Sequence, residues 1–318
     1  MTKNSQPSML SQWFPPKPKW WQKDIPDLTG KVTIVTGAKT GVGRETVKAL
    51  LQHNAKVYFA ARGKKQSEEV IEELQKVTGK RAIFLELDLA NLKSIRKAAE
   101  EFLSKESELH VLFNNAGIMW PSIDMLTDDG YDAQWGVHVV GNHYWTTLLV
   151  PALTAGARTS SDGKARVVNT ASSAAYLDVI HWDTFVPGPA RTKFGTQGLY
   201  NQSKFGQVVW TRELAKRYDN QNIIAVACNP GNLQTDLQRH VGGVAKFFLN
   251  MILHPVDPYG PLTQLYAGTS PEVLQKPNGA FYIPWAREGP TPPKAIDDQL
   301  GKDLWAYLEK EIEEKTRA

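Results

Sequence analysis

Lys31-Val32-Thr33-Ile34-Val35-Thr36-Gly37-Ala38-Lys39-Thr40-Gly41-Val42-Gly43 is the stretch on which the reading of this chain turns. Val32 to Val35 form a short β-branched run, three glycines follow, and a helical pattern then runs from Gly43 to Gln52. A strand, a glycine turn and a helix in immediate succession open a βαβ unit. Glycines at the turn let the backbone come close to a pyrophosphate, whose charge then sits at the helix amino terminus. A plain tight turn is the competing reading, since three glycines alone occur in many loops.

Outward from this unit, β-branched runs alternate with helical patterns, as in a parallel sheet covered by helices on both faces. Strands are expected at Val32 to Val35, Val57 to Ala60, Ala82 to Leu85, Val111 to Phe113, Arg166 to Asn169, Ile223 to Cys228 and Ala280 to Ile283. Helices are expected at Gly43 to Gln52, Ser67 to Lys76, Leu92 to Leu103, Ala133 to Leu153, Leu199 to Arg217, Leu262 to Ala267 and Leu300 to Glu314. The fold class is α/β: a single doubly wound domain with a seven-stranded parallel sheet over residues 30 to 318. Residues 1 to 29 form an arm whose Trp13, Pro15, Pro16, Pro18, Trp20, Trp21 and Pro26 preclude a regular helix. Docking of its tryptophans on the domain surface competes with a pocket-lining or partner-binding role.

The 318 residues contain 42% hydrophobic side chains, ample for one core, and a formal charge of +4 spread along the chain, which gives nucleic-acid binding no support. A single cysteine, Cys228, excludes an intramolecular disulfide and any multi-cysteine metal site. No apolar run reaches the roughly 18 residues of a membrane span, and the amino terminus lacks a signal-peptide core, so a cytoplasmic protein acting on small molecules is expected.

Further cofactor residues follow the strands. After the second strand, Ala61-Arg62-Gly63 lacks the acidic side chain that would accept from the ribose 2′-hydroxyl of NAD. Arg62, with Lys39 from the glycine turn, instead offers cations for a 2′-phosphate, which favours NADP(H) over NAD(H); a solvated surface arginine is the alternative. Asp88 after the third strand can accept from an adenine amino group with Leu89 against the ring, or serve as a turn residue. Asn114-Asn115-Ala116-Gly117 after the fourth strand provides small residues where backbone must lie close to a ligand.

Tyr200 and Lys204, four residues apart in a helix, share one face. Lowering a phenol by ~3 units from its usual ~10 needs roughly 4 kcal/mol, about what one ammonium ~4 Å away supplies at an effective dielectric of ~20. Such a pair could move a proton near neutral pH, although the spacing alone is common on ordinary amphipathic helices.

Thr36 to Gly43, Asp88, Asn115-Ala116-Gly117, Ser172, Tyr200-x-x-x-Lys204 and Pro230-Gly231-x-x-x-Thr235, in this order and spacing, resemble the classical short-chain dehydrogenase/reductase family over roughly residues 30 to 285, and within it the retinol-dehydrogenase-like branch with many fungal members. The resemblance implies a Rossmann-fold, nicotinamide-dependent alcohol dehydrogenase or carbonyl reductase. In it Tyr200 would be the acid/base. Lys204 would lower the tyrosine pKa and hold the nicotinamide ribose, and Ser172 would bind the substrate oxygen. Gly37, Thr40, Gly41, Val42, Pro230, Gly231, Leu233 and Thr235 would shape the cofactor site beside Lys39, Arg62, Asp88, Leu89, Asn115, Ala116 and Gly117. The family's usual asparagine is here His138. That histidine could hold the relay water, Asn142 could replace it, or the relay could be lost with His138 packed as a polar residue. The resemblance also implies homodimers through the helices of Ala133 to Leu153 and Leu199 to Arg217.

Two long segments lie at the substrate end. One, Ala174 to Gly198, carries Tyr176, Trp182 and Phe185. In the other, Leu233 to Tyr259, the residues Val244, Phe247, Phe248, Met251 and Ile252 form an apolar stripe. The stripe reads as a lid over a small lipophilic substrate, a permanently packed helix, or a membrane-surface contact. A cofactor-binding sensor without turnover is the rival to an enzyme.

Overall fold

A computed structural model describes residues 9–234 and 253–317. Its strands are β1 Val32–Thr36, β2 Lys56–Ala61, β3 Ile83–Glu86, β4 Val111–Asn114, β5 Ala165–Thr170, β6 Ile223–Cys228, β7 Phe281–Ile283 and β8 Arg287–Gly289. They form one sheet in the order β3-β2-β1-β4-β5-β6-β7-β8. The expected count of seven is therefore corrected to eight. β8 runs antiparallel to β7 through Ile283↔Arg287 and Phe281↔Gly289. Arg-Glu-Gly has no β-branched residue and no alternation to announce a strand; it is held by pairing, with Gly289 pressed on the Ile283 side chain.

The strand order reverses between β2 and β4, both of which pair with β1. That reversal opens a crevice beyond the carboxyl ends of the strands, where ligands bind in such sheets. Successive side chains of each strand feed two cores. On one face Ile34, Leu112, Val167 and Ala225 pack with α4 (Leu92–Lys105), α5 and α6. Here α5 is the continuous run Ala133–Trp135, a π-helical turn Gly136–Gly141 and Asn142–Thr159, and α6 is Pro189–Tyr218. On the other face Val35, Phe113, Val168 and Val226 pack with α2 (Gly41–Gln52), α3 (Lys64–Thr78) and α7 (Leu262–Thr269).

α6 begins ten residues before the expected Leu199. Pro189 occupies its first position, and Gly195, at φ +74°, interrupts it. Much of the expected substrate loop is thus helical. Phe185, expected beside the substrate, lies 2% exposed and stacked on Trp135 at 3.8 Å between centroids, so it is a core residue. Arg191 is buried and donates through Nε and Nη2 to Asp132 Oδ2 at 3.1 and 3.0 Å; Asp132 also caps the first turn of α5 through the amides of Gln134 and Trp135.

The amino-terminal arm is not purely extended: one helical turn, α1 (Leu10–Trp13), precedes the prolines. Trp20 meets Tyr266 edge-on at 5.6 Å, and Trp20, Ile25 and Leu28 are part of the second core. At the other end, α8 (Asp298–Thr316) crosses the outer side of α5 and α6. Its Leu304 and Leu308 are buried in the first core, Trp305 packs edge-on at 4.6 Å against His143 of α5 with Arg217 of α6 over its ring, and Glu309 pairs with His143 at 2.9 Å. The chain's own carboxyl-terminal helix therefore occupies part of the face through which two copies were expected to pair. Light scattering on the eluted protein should give the 35.5 kDa of one chain; a stable 71 kDa species, twice that mass, would contradict this.

Candidate active site

The turn after β1 is built by close backbone approach. A Cβ on Gly37, at φ +66°, would stand 2.8 Å from Ala116 Cα, and one on Gly43 would stand 2.6 Å from Asn115 Nδ2. Thr36 Oγ1 accepts from the amides of Asn115 and Ala116, each at 3.0 Å, while Asn115 Nδ2 donates to Thr36 O at 2.9 Å. Thr40, the residue before α2, makes no side-chain capping bond, which leaves the first amides of the helix for a ligand. The cradle suits a pyrophosphate both in its glycine-lined approach and in its donors. Val42 packs near Gly260 at its rim.

Ala61-Arg62-Gly63 at the end of β2 supplies no carboxylate of its own; Glu86 of β3 accepts from the Gly63 amide at 3.4 Å. Arg62 is 70% exposed, with Nη1 3.5 Å from Asp88 Oδ2, and Lys39 Nζ donates to Arg62 O at 3.3 Å. Two cations thus converge there. Asp88 also serves as a turn residue, its Oδ1 accepting from Ala90 N at 2.9 Å. Leu89 is part of the buried core, so its side chain packs inward rather than offering the free face expected for the adenine.

Ser172, just past β5, stands beside Tyr200 of α6; burial pushes the Tyr200 phenol up to about 12, and the neighbouring Ser172 hydroxyl only partly offsets this. Lys204 Nζ lies 5.8 Å from the Tyr200 ring centre and donates to Thr170 O at 2.9 Å and Gln207 Oε1 at 3.2 Å. Burial lowers its pKa to about 7. Sequence spacing led to the opposite expectation for the phenol. The ammonium that was to lower it is itself desolvated and held on neutral oxygens, so it carries only part of a charge at neutral pH. Gly117 faces both this lysine and His138; a Cβ there would stand 3.0 Å from His138 Nε2 and 3.7 Å from Lys204 Nζ.

His138 sits within the π-helical turn, wholly buried. Its Nε2 accepts from Ile118 N at 3.0 Å, so Nδ1 carries the hydrogen and points to Ser203 Oγ at 2.8 Å. Ser203 Oγ in turn donates to Tyr200 O at 2.7 Å. Burial, with Lys204 nearby, holds the imidazole well below its usual range. Neither ring nitrogen is left for a water, which corrects the expectation that His138 is a catalytic relay group. Asn142 Nδ2 donates to His138 O at 3.1 Å, and its Oδ1 is buried without a protein partner.

Pro230 and Gly231 follow β6. Gly231 is at φ +96°, where a Cβ would stand 2.8 Å from Trp285, and Leu233 bridges to His254. Thr235 and the apolar stripe Val244, Phe247, Phe248, Met251 and Ile252 lie outside the described residues. Trp120 is the residue that sequence reading missed. At φ +51°, held by Gln134 Oε1 accepting from its amide at 3.0 Å, it meets Tyr200 edge-on with centroids 6.5 Å apart. Its place three residues beyond Asn115-Ala116-Gly117 was the available signal.

The family model described as short chain dehydrogenase matches residues 31–243. The chain is 54% identical to a short-chain dehydrogenase/reductase of Armillaria gallica over 95% of its own length and 96% of the relative's. It is 37% identical to an oxidoreductase of Schizosaccharomyces pombe over 93% and 89% of the two chains. A solved protein of Mycobacterium paratuberculosis superposes with a TM-score of 0.72 at 26% identity, covering 92% of this chain and 97% of that one.

Because the buried imidazole resists protonation, the unfolded chain takes up a proton below about 6.5 that folded His138 refuses. The His138 contribution to stability should thus be full above pH 6.5 and be lost as pH drops below it. Thermal melts between pH 7.5 and 5 should fall less steeply for His138→Asn than for the native chain; parallel curves would refute the assignment.

Proposed function

The chain belongs to the short-chain dehydrogenase/reductase family, and on that premise we propose that it is an NADP(H)-dependent oxidoreductase acting on a small lipophilic alcohol or carbonyl compound. The observation that carries this reading is the convergence of Ser172, Tyr200 and Lys204 beside the glycine cradle. When bound, the nicotinamide supplies or accepts the hydride. The protein's work is then to hold the oxygen and to move one proton.

Ser172 holds the substrate oxygen and Tyr200 donates the proton to it in reduction, or removes it in oxidation. A phenol at about 12 rests protonated at neutral pH, the form a reduction needs. Lys204, fixed by Thr170 O and Gln207 Oε1, holds the ribose hydroxyls and stabilises the phenolate as it forms. His138 fixes the Ile118 amide and, through Ser203, the Tyr200 carbonyl, and so orients the tyrosine. The unpartnered Asn142 Oδ1, one helical turn on, supports it as the relay acceptor in place of the usual asparagine. Arg62 and Lys39 bind the 2′-phosphate, and the Trp120 indole gives the pocket an apolar wall.

A second reading, a cofactor-binding sensor without turnover, is favoured by the committed imidazole at position 138. A screen of NADPH against ketones and aldehydes separates the two, since the sensor oxidises no NADPH. In the enzyme, Tyr200→Phe should cost about 10²- to 10⁴-fold in kcat with NADPH affinity kept. The kcat/KM for reduction should fall as pH rises through about 7, where the lysine loses its proton. Arg62→Ala should weaken NADPH about tenfold, one charge-assisted hydrogen bond, and leave NADH unchanged in titrations of both; equal losses would remove the case for NADP.

A further inference from the structure

The arm's single helical turn presents two unlike faces. Leu10 and Phe14 are exposed, while Gln12 between them is 1% exposed and reaches into the domain at the carboxyl end of β6. Its Oε1 accepts from Asn229 Nδ2 at 3.0 Å. Asn229 is itself buried, its amide donates to Tyr282 O at 2.8 Å, and its Oδ1 accepts from Gly231 N at 3.0 Å. A carboxamide can direct its oxygen at Gly231 only if its nitrogen faces the other way, and a buried nitrogen facing that way needs an acceptor. Gln12 is that acceptor.

The rest of the contact has the same character. Arg287 Nη2 donates to Ser11 O at 2.8 Å and the same guanidinium binds Pro284 O; Pro284 and Trp285 in turn crowd Gly231. On its other side Gln12 Nε2 makes no hydrogen bond of ordinary geometry but lies near the Tyr176 hydroxyl, whose pKa burial pushes up to about 12 and the Gln12 side chain partly offsets. Further along, Trp21 packs on Tyr259 at 5.9 Å and Gln22 Nε2 donates to Pro258 O at 3.3 Å, so the arm is anchored beyond the turn as well. A segment 217 residues away from Asn229 in sequence is therefore wired to the turn after β6.

We propose that Gln12 is a positioning residue for the nicotinamide end of the cofactor site, acting through Asn229 on the Pro230-Gly231 turn. The inference rests on the nicotinamide-dependent reading above. Without Gln12 the Asn229 nitrogen is left buried and unpaired, and the carboxamide gains by turning away from Gly231. The turn then loses its internal clamp.

Gln12→Met keeps the side-chain volume and removes the acceptor. Hydrogen exchange of the Gly231 amide in the free protein should rise in this variant. The Kd and KM for NADPH should rise about fivefold, the scale of one net hydrogen bond, while kcat and the carbonyl KM stay within about twofold. A chain lacking residues 1–14 should show the same split. Unchanged Gly231 exchange with native NADPH affinity would overturn the proposal. So would a fall in melting temperature with the NADPH KM unmoved, which would assign Gln12 to stability alone. If the native chain itself binds no NADPH, the functional reading fails, while the exchange measurement still decides whether Gln12 holds the turn.

Discussion

Everything in this molecule depends on two loops touching. The turn after β1 and the turn after β4 meet so closely that neither Gly37 nor Gly43 could carry a Cβ, and the Thr36 hydroxyl, accepting from the Asn115 and Ala116 amides, fastens the contact. The contact lies where the strand order reverses, so it fixes the floor of the crevice. Gly117 continues directly from it and sets the depth at which His138 and Lys204 can approach. A larger residue at any of these glycines would push apart the two turns or the side chains of His138 and Lys204 that stand against Gly117.

Behind that floor the chemistry is governed by desolvation more than by pairing. Tyr200, Lys204 and His138 are all buried, and each is driven toward its neutral form. Helical spacing alone suggests a charged lysine that acidifies a tyrosine. The folded protein instead keeps a phenol that holds its proton and a lysine poised near 7, able to gain or lose a charge at small cost. The imidazole between Ile118 and Ser203 is locked as one neutral tautomer, which suits orientation and not transfer.

Both chain ends are used as structural parts. The amino-terminal arm closes over the carboxyl ends of β6 and β7, and the carboxyl-terminal helix closes over α5 and α6 on the opposite face. The first brings a polar side chain from far away in sequence to the turn after β6. The second covers the outer side of α5 and α6 with residues of the same chain.

The sequence by itself determined the α/β class, seven of the eight strands within a residue or two, the glycine turn after β1, the absence of an acid in the residues that end β2, and the placing of Tyr200 and Lys204 on one helix. These are legible because each rests on local chemistry: a period of two or 3.6, a glycine that a turn needs, a spacing of four on one helix. Tertiary structure alone decided the rest. β8 exists only through its pairing with β7, Phe185 is a core residue only because Trp135 lies under it, and Trp120 reaches Tyr200 only through the bond from Gln134. The state of His138, the pKa order of Tyr200 and Lys204, and the link from Gln12 to Gly231 depend on burial and on partners dozens or hundreds of residues away. Desolvation and long-range hydrogen bonds leave no period in a sequence, so no reading of spacing could have found them.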